Sequence, residues 1–368
     1  MHYTDIAQDF LGVDETNLPQ HGTRAQRSAS NGKTWAIVLA GGSGTRLRPL
    51  TVNRAGIPVP KQYCSLDSGP SLLRAALQRA FTVVPRLRTS VVVAEQHAEW
   101  WSSFARELPA VSIAVQAEDR GTATGILLAL LRILERDPNA RVVVLPSDHH
   151  VVDESAVTRS LANAIGALLY RRADIVLLGA APDGLDTDLG YIAPAGPPTN
   201  GLFSVAEFVE KPARTHAAKL IAAGALWNTF MLVANGRELL ELMRAREPAV
   251  VADLHRALER GATPTLREIY CRLPVLDFSR DIVQRNPPAF SAVRMPACGW
   301  TDLGTVDRVR KCLRLKPKSF AAAAAMTDAA PAPISLARAL WAERLPAHAS
   351  CDLTDELGVG AVEMMPAG

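Results

Sequence analysis

Three glycines and two cations make residues 39–63 the part of this sequence whose chemistry is easiest to recognise. An apolar run, residues 35–40, leads directly into the glycines of residues 41–44, so we predict a buried strand followed by a loop with open backbone amides. Such a loop approaches a ligand closely, and consecutive N–H groups form an anion-binding concavity. Arg46 and Lys61 add a planar phosphate-binding fork and a compact point charge. The pattern predicts a cradle for a triphosphate.

Two other glycine-rich nucleotide loops fit this stretch poorly. A dinucleotide fingerprint that starts at Gly42 needs a further glycine where Leu47 stands, and no acidic residue ends a following strand in the position for a ribose. A Walker A loop needs a glycine at Arg27, five residues before Gly32, and would follow a strand instead of preceding one. A tight strand-to-helix turn without a ligand is the plainest alternative.

One carboxylate, Asp148, follows the apolar run of residues 142–146. A carboxylate at a strand end beside a phosphate loop suits Mg²⁺, which prefers hard oxygen donors and bridges to substrate phosphates. The same residue is equally well explained as a helix N-cap or a turn residue. Asp148 alone does not decide between these interpretations.

Two further segments have polar residues where strands are predicted to end. In QAEDRGTATG, residues 116–125, Thr122 is readily explained as a helix cap and Gly121 as a turn residue. Glu210 and Lys211 precede a proline and, as a bare pair, are typical of a solvated turn. Neither segment identifies a site by its composition.

Together these segments resemble the sugar-phosphate nucleotidylyltransferases. The resemblance rests on GGSGTRLRPL, PKQY, PSDH, FVEKP and GWTDLGT, and it extends over residues 35–314. The PKQY form is most similar to the mannose-1-phosphate guanylyltransferases, also called GDP-mannose pyrophosphorylases. The resemblance therefore implies transfer of a guanylyl group from GTP to mannose 1-phosphate, which yields GDP-mannose and pyrophosphate.

The resemblance also implies roles for individual residues. Arg46 and Lys61 would be catalytic, and two carboxylates would hold a Mg²⁺ cofactor: Asp148 and Asp302. GTP would be bound by the phosphate loop and two residues that face the base: Leu39, Ala40, Gly41, Gly42, Gly44, Thr45, Gln116 and Gly121. The sugar 1-phosphate would be bound by four residues: Gly190, Glu210, Lys211 and Asn228.

Two other functions stay open. A nucleotidylyltransferase of different specificity would use UTP or dTTP with a glucose-type sugar phosphate. A non-catalytic protein that binds nucleotide sugars is suggested by two departures from the family pattern. The segment between the glycines and Lys61 is longer than usual, and Thr229 and Phe230 follow Asn228 where relatives usually have small residues.

The elements that must position these residues follow from the hydrophobic pattern. From residue 34 to residue 180, short β-branched runs alternate with helical stretches, which predicts an α/β fold: a Rossmann-like, mainly parallel sheet with helices on both faces. Ligands of such sheets bind at the carboxyl ends of the strands, where the glycine loop and Asp148 fall. After residue 180, extended segments separated by loops predict mixed strands that form a sugar-binding part. The resemblance implies the nucleotide-diphospho-sugar transferase type of this fold.

Composition divides the chain into three parts. Residues 1–33 are polar and contain scattered glycine, proline and serine, which predicts a flexible N-terminal extension. Residues 34–317 would form the nucleotidylyltransferase domain. Residues 318–368, which begin with an alanine- and proline-rich stretch, would form a C-terminal tail.

Bulk properties limit the classes of partner. The 368 residues include 40 Lys and Arg against 37 Asp and Glu, a net charge of +3 that is too small to predict nucleic-acid binding. No apolar run reaches the ~18 residues of a membrane span, and no secretory signal pattern opens the sequence. The five cysteines lack CxxC spacing, which fits a reducing compartment. We therefore expect a cytoplasmic protein with small-molecule substrates and no nucleic-acid or membrane partner; a homo-oligomer stays open.

Overall fold

The computed structural model describes residues 33–53, 55–108, 111–260, 263–314, 334–337 and 339. Within these residues, nine strands form a single sheet. The strands are β1 (Thr34–Ala40), β2 (Thr89–Ala94), β3 (Ser112–Gln116), β4 (Arg141–Pro146), β5 (Ile175–Ala180), β6 (Gly190–Pro194), β7 (Phe203–Glu210), β8 (Leu226–Asn235) and β9 (Ser291–Arg294). Their order across the sheet is β3-β2-β1-β4-β8-β5-β9-β7-β6.

Helices connect these strands and cover the sheet. The α-helices are α1 (Leu72–Phe81), α2 (Ala98–Glu107), α3 (Gly121–Arg136), α4 (Glu154–Leu169), α5 (Arg214–Ala222), α6 (Gly236–Arg246), α7 (Pro248–Arg260), α8 (Thr263–Arg272) and α9 (Val306–Arg314). A π-helical turn, Phe278–Val283, precedes β9, and short 3-10 helices include Thr45–Leu50 and Lys61–Tyr63. None of the helices in the described ranges is long and apolar enough to cross a membrane.

Strand β1 shows how the centre of the sheet is buried on both faces. Its side chains alternate, so that Trp35 and Ile37 join one hydrophobic cluster while Ala36 and Val38 join another. Helices α3, α6, α7 and α8 cover the first cluster, and α1 and α4 cover the second. Strands β1, β2, β3 and β4 pair in parallel. The predicted α/β fold with helices on both faces of a parallel core is confirmed.

The strands after residue 180 extend the same sheet. Strand β8 lies antiparallel between β4 and β5, and β6 pairs antiparallel with β7. Strand β8 supplies hydrogen bonds to the open edge of β4. The predicted mixed strands are therefore continuous with the parallel strands.

The long connection between the glycines and Lys61 folds back on itself. The Val59 N–H donates to the Thr51 carbonyl at 2.7 Å, and the Asn53 N–H donates to the Ile57 carbonyl at 2.9 Å. Because Thr51 and Val59 are brought together, the additional residues form a loop whose two ends lie side by side. Lys61 lies two residues after Val59, where this loop ends.

The predicted domain boundaries fall largely outside the described residues. Of the predicted N-terminal extension, only Lys33 is described. Of the predicted C-terminal tail, Ile334–Ala337 lies against the domain, where the Ser65 N–H donates to the Ile334 carbonyl at 2.8 Å. The boundary at residue 317 remains a prediction.

Helices α1 and α4 are joined by an ion pair that yields a stability prediction. Arg79 donates from Nε and Nη2 to the two carboxylate oxygens of Glu154, at 2.8 Å each, and the Arg79 side chain is fully buried. We expect Glu154→Ala to lower the free energy of unfolding by about 2 kcal/mol, because it leaves a buried guanidinium without its carboxylate. The loss should stay below the ~3–5 kcal/mol of a wholly buried pair, since the Glu154 side chain is 43% exposed.

The control for this experiment is Glu241→Ala. Glu241 pairs with Arg244 on the exposed face of α6, where ion pairs contribute little, so its loss should cost no more than ~0.5 kcal/mol. Urea denaturation of both variants measures the difference. Equal losses in the two variants would contradict the assignment of a stabilising role to the Arg79–Glu154 pair.

Candidate active site

The glycine loop, Gly41–Gly44, follows β1 and is held by a side chain from the next turn. Gln62 donates from Nε2 to the Ala40 carbonyl at 2.8 Å and to the Gly42 carbonyl at 2.9 Å. Gly44 has φ +57°, and a Cβ there would lie 3.1 Å from both the backbone nitrogen and the Cβ of Lys61. Glycine is therefore required at this position, for its backbone conformation and for the close approach. The sequence analysis did not assign a role to Gln62.

Lys61 lies at the centre of the site. Its ammonium donates to the Asp302 carbonyl at 2.6 Å and to the Leu303 carbonyl at 3.4 Å. It also forms an ion pair with Asp148, with 3.1 Å between Nζ and Oδ2, and its side chain is only 7% exposed. Through this one cation the structure brings together three separately predicted site residues.

Asp148 follows β4 and has a partly exposed carboxylate. Burial would raise its pKa, but the charge of the Lys61 ammonium and the hydrogen bonds from Lys61 and the backbone outweigh burial, so the pKa is lowered. Burial lowers the pKa of His149, and the neighbouring carboxylates oppose this only in part. A neutral His149 then accepts from the Trp300 indole, with 3.3 Å between the nitrogens. Asp148 is thus ionised beside a neutral imidazole at pH 7.

Asp302 faces a second cation. Both of its carboxylate oxygens accept from Arg308 Nη1 at 2.7 Å, and Oδ1 also accepts from the Gly304 N–H at 3.0 Å. Arg308 is held in turn by Asp186, whose Oδ2 accepts from its Nε at 2.9 Å. Nothing in the sequence marks Arg308, because its partner Asp186 lies more than a hundred residues away.

The predicted Mg²⁺ site can be tested against this donor set. Asp148 is paired with Lys61, and Asp302 is paired with Arg308, so each carboxylate already has a cationic partner. Among the described residues, His, Cys, Asp and Glu form no group of three or more that could hold a metal ion. The structure thus gives each carboxylate a cationic partner, and their binding of Mg²⁺ stays a prediction.

The predicted acceptor residues meet where β6, β7 and β8 end or begin. Gly190 pairs with Glu210 in the sheet, and a Cβ on Gly190 would lie 2.6 Å from Glu210 Oε2 and 3.3 Å from Asn228 Cβ. Asn228 donates to the Ser279 hydroxyl at 3.3 Å and accepts from the Phe230 N–H at 3.1 Å. The glycine leaves room for the Glu210 carboxyl to lie over the strand.

Glu210 and Lys211 differ sharply in environment. Lys211 is 54% exposed, and its Nζ lies 3.8 Å from Glu210 Oε1. Burial, aided by the Asp277 charge, raises the pKa of Glu210 to about 7, although Lys211, Arg280 and Arg46 oppose the shift. Arg46, exposed on the 3-10 helix after the glycine loop, is therefore close enough to affect an acceptor residue.

Backbone strain is concentrated around these residues. In the described part of the chain, five non-glycine residues have positive φ, and three of them are predicted site residues or lie within two residues of one: Lys211 (φ +50°), Phe230 (φ +60°) and Leu303 (φ +49°). Such conformations cost of order 1–3 kcal/mol each and persist where the surrounding structure imposes them. Phe230 occupies a position whose φ favours glycine, which explains why a small residue is typical there.

The predicted base-facing residues have different surroundings. Gln116 ends β3 and is 4% exposed, and its side chain forms a hydrogen bond with the buried Tyr270. Its Oε1 lies 3.1 Å from the place of a Cβ on Gly41, directly below the glycine loop. Gly121 has φ +82°, and a Cβ there would lie 2.1 Å from the Leu276 carbonyl oxygen. Gly121 thus has a packing reason to be glycine, and a base contact remains a prediction.

The remaining predicted GTP residues line the same loop. Leu39 and Ala40 lie at the end of β1, with Leu39 half-buried and Ala40 buried, while Thr45 is exposed at the start of the 3-10 helix. The structure thus brings the glycine loop, Lys61, Asp148 and the main chain at Asp302 together.

Comparisons with known proteins agree with this arrangement. The family model described as nucleotidyl transferase matches residues 35–315. Alginate biosynthesis protein AlgA from Pseudomonas putida is 28% identical over 279 residues, which cover 73% of this chain and 56% of that protein. Mannose-1-phosphate guanylyltransferase from Escherichia coli is 30% identical over 290 residues, or 74% of this chain and 58% of that protein. The chain therefore spans little more than half the length of these relatives.

Solved structures show the same fold. A crystal structure from Thermus thermophilus, described as mannose-1-phosphate geranyltransferase, has a TM-score of 0.67 and 29% identity, and the match covers 77% of this chain and 80% of that one. UDP-glucose pyrophosphorylase complexed with UDP-glucose has a TM-score of 0.51 at 14% identity, with 77% and 97% coverage. The second likeness concerns the fold alone.

The raised pKa of Glu210 predicts a pH dependence of stability. The pKa rises from 4.5 to about 7 on folding, so the folded state keeps a proton that the unfolded chain releases. The contribution of Glu210 to stability is therefore full below pH 4.5 and falls as the pH rises through 7, by roughly 3 kcal/mol in total. We expect Glu210→Gln to abolish this loss, so that the variant gains stability relative to the parent between pH 5 and 8. Urea denaturation across that range measures it, and parallel curves would refute the raised pKa.

Proposed function

The chain belongs to the nucleotidyl transferase family, and from that premise we propose that it transfers a guanylyl group from GTP to mannose 1-phosphate. One observation supports the proposal above others: the Lys61 ammonium, beside the glycine loop, contacts both Asp148 and the main chain at Asp302. The names of relatives support GTP and mannose 1-phosphate as the substrates.

The reaction needs positioning more than acid–base chemistry. An oxygen of the sugar 1-phosphate attacks the α-phosphorus of GTP in line, a new P–O bond forms, and pyrophosphate leaves with the electrons of the broken bond. The attacking phosphate is already anionic near neutral pH, so no general base is required. The protein must hold two mutually repelling anions together and neutralise the charge on the transferring group.

On the donor side, the open amides of the glycine loop and Arg46 would bind the β- and γ-phosphates. Lys61 would meet the α-phosphate, because a phosphate oxygen is a suitable competitor for the contacts that the ammonium makes with backbone carbonyls. Asp148 would keep Lys61 charged and oriented during this exchange. Gln62 would keep the loop amides directed at the ligand by binding the carbonyls on their other side.

On the acceptor side, the exposed Lys211 would pair with the phosphate of the sugar 1-phosphate. Glu210, with a pKa of about 7, is present in both protonation states near neutral pH and would accept or donate a hydrogen bond to a sugar hydroxyl. Asn228 and Gly190 would line the sugar ring. Guanine would be selected through hydrogen bonds to its edge, for which Gln116 and Gly121 are the candidates, because a polar site rejects a base that leaves it unpaired.

The proposal also includes a Mg²⁺ cofactor and a cytoplasmic location. Asp148 and Asp302 would hold the ion, and they form ion pairs with Lys61 and Arg308 in this structure. The assay below therefore measures activity with and without Mg²⁺. Small-molecule partners, GTP and a sugar 1-phosphate, are consistent with the family.

The deciding experiment is a matrix of nucleoside triphosphates against sugar 1-phosphates. GTP, UTP and dTTP are each combined with mannose 1-phosphate and glucose 1-phosphate, with and without MgCl₂, and pyrophosphate release is measured. We expect kcat/KM for GTP with mannose 1-phosphate to exceed every other pair by about 100-fold or more. Arg46→Ala serves as the site control and should lose activity, whereas Arg48→Ala, exposed on the same 3-10 helix, should retain it.

Each other outcome has a definite meaning. A preference for UTP or dTTP with glucose 1-phosphate would replace the substrates and leave the reaction class intact. Binding of GDP-mannose without pyrophosphate release from any pair would indicate a non-catalytic nucleotide-sugar-binding protein and overturn the proposed activity.

A second prediction concerns the acceptor phosphate. Lys211→Ala should raise KM for the sugar 1-phosphate about tenfold or more while KM for GTP changes little, since the lysine is assigned to the sugar phosphate alone. Lys219→Ala, which removes an exposed lysine from the following helix α5, is the matched control and should alter neither constant. Equal increases in both KM values in Lys211→Ala would contradict this assignment.

A further inference from the structure

A short segment from the predicted C-terminal tail lies beside the active-site loops. The Ser65 N–H donates to the Ile334 carbonyl at 2.8 Å, and the Leu336 N–H donates back to the Ser65 carbonyl at 3.0 Å. The Ala337 N–H donates to the Leu66 carbonyl at 3.0 Å. Residues 334–337 thus add a parallel bridge to the chain that follows Lys61.

Leu336 is the centre of this contact. Its side chain is fully buried in a small hydrophobic cluster that is separate from the two clusters covering the faces of the sheet. The buried members of the small cluster are Leu47, Leu50, Val59, Cys64, Leu66, Leu72, Leu303, Val309, Cys312 and Leu336.

The members of this cluster belong to the segments that hold the site residues. Leu47 follows Arg46 on the 3-10 helix, Cys64 lies just after the turn that begins with Lys61, and Leu303 follows Asp302. The 3-10 helix and the Lys61 turn are short elements, and neither is a strand of the sheet. Packing within this cluster therefore acts together with the hydrogen bonds of Lys61 and Gln62 to fix their mutual positions.

The packing of Leu303 in this cluster stabilises a strained backbone conformation. It has φ +49°, a strained conformation for a branched side chain, while its carbonyl accepts from Lys61. Its side chain is fully buried in the cluster that Leu336 completes. The burial of Leu303 offsets the strain and holds its carbonyl, and that of Asp302, toward the ammonium.

We propose that Leu336 is a positioning residue that holds the Arg46, Lys61 and Asp302 segments in register from outside the sheet. The inference rests on the proposed function for its kinetic consequence, but its structural part is independent of any substrate. Residues 334–337 would then belong to the active-site scaffold and not to a dispensable tail.

The test compares three full-length variants. Leu336→Ala leaves a cavity in the small cluster, Leu336→Met refills it, and Leu254→Ala creates a cavity at an equally buried leucine of α7, within the main core. Hydrogen–deuterium exchange of residues 45–50 and 61–66 is measured against strands β1 and β4, and kcat and KM are measured under conditions where all three variants are folded.

We expect Leu336→Ala to speed exchange of those two segments at least about tenfold relative to the strands, and to lower kcat about 10- to 100-fold, because small misplacements of reacting groups are costly. Leu336→Met should restore both values, and Leu254→Ala should change neither the loop exchange nor kcat. Unchanged loop exchange in Leu336→Ala, or an equal loss of kcat in Leu254→Ala, would overturn the proposal. If no substrate pair reacts, the exchange data alone decide it, so this inference and the proposed function fail separately.

Discussion

The buried Lys61 ammonium is the interaction on which the site depends. A cation with so little exposed surface is tolerated only with close oxygen partners, and it obtains them from the Asp148 carboxylate and the main chain at Asp302 and Leu303. These partners come from the end of the central strand β4 and from a turn that lies 241 residues after Lys61 in the chain. The requirement to satisfy one charge thus ties together the two halves of the molecule at the point where ligands bind in this type of sheet.

The carboxyl groups around Lys61 are neutralised by cations or by a proton. Arg308 neutralises the Asp302 carboxylate, and burial leaves Glu210 neutral for part of the time near pH 7. The site therefore avoids a concentration of negative charge that would repel a triphosphate. Arg46 and Lys211 remain exposed and are assigned to the two substrates, one on each side.

Much of the fold and part of the site follow from sequence patterns. The β-branched runs that predict β1 to β4 fall on the observed strands, because strands buried on both faces require continuous apolar residues. Gly44 and Lys61 stand out through glycine spacing and charge. Gln62, Arg308 and Leu336 do not, because their roles depend on partners brought close only by the tertiary fold. Gly121 shows the opposite case: a position expected to face a base is also required to be glycine by packing against Leu276.

The position of β8 has a consequence for how the chain is made. It pairs antiparallel with β4, whose valine-rich edge is completed by residues synthesised roughly ninety positions later. Until β8 has been synthesised, the backbone edge of the apolar strand β4 is unpaired and can pair with another chain. Strands β1 to β4 are synthesised first, but the edge of β4 is paired only after β8 has been synthesised. We therefore expect the unpaired β4 edge to be the part of the growing sheet most open to aggregation.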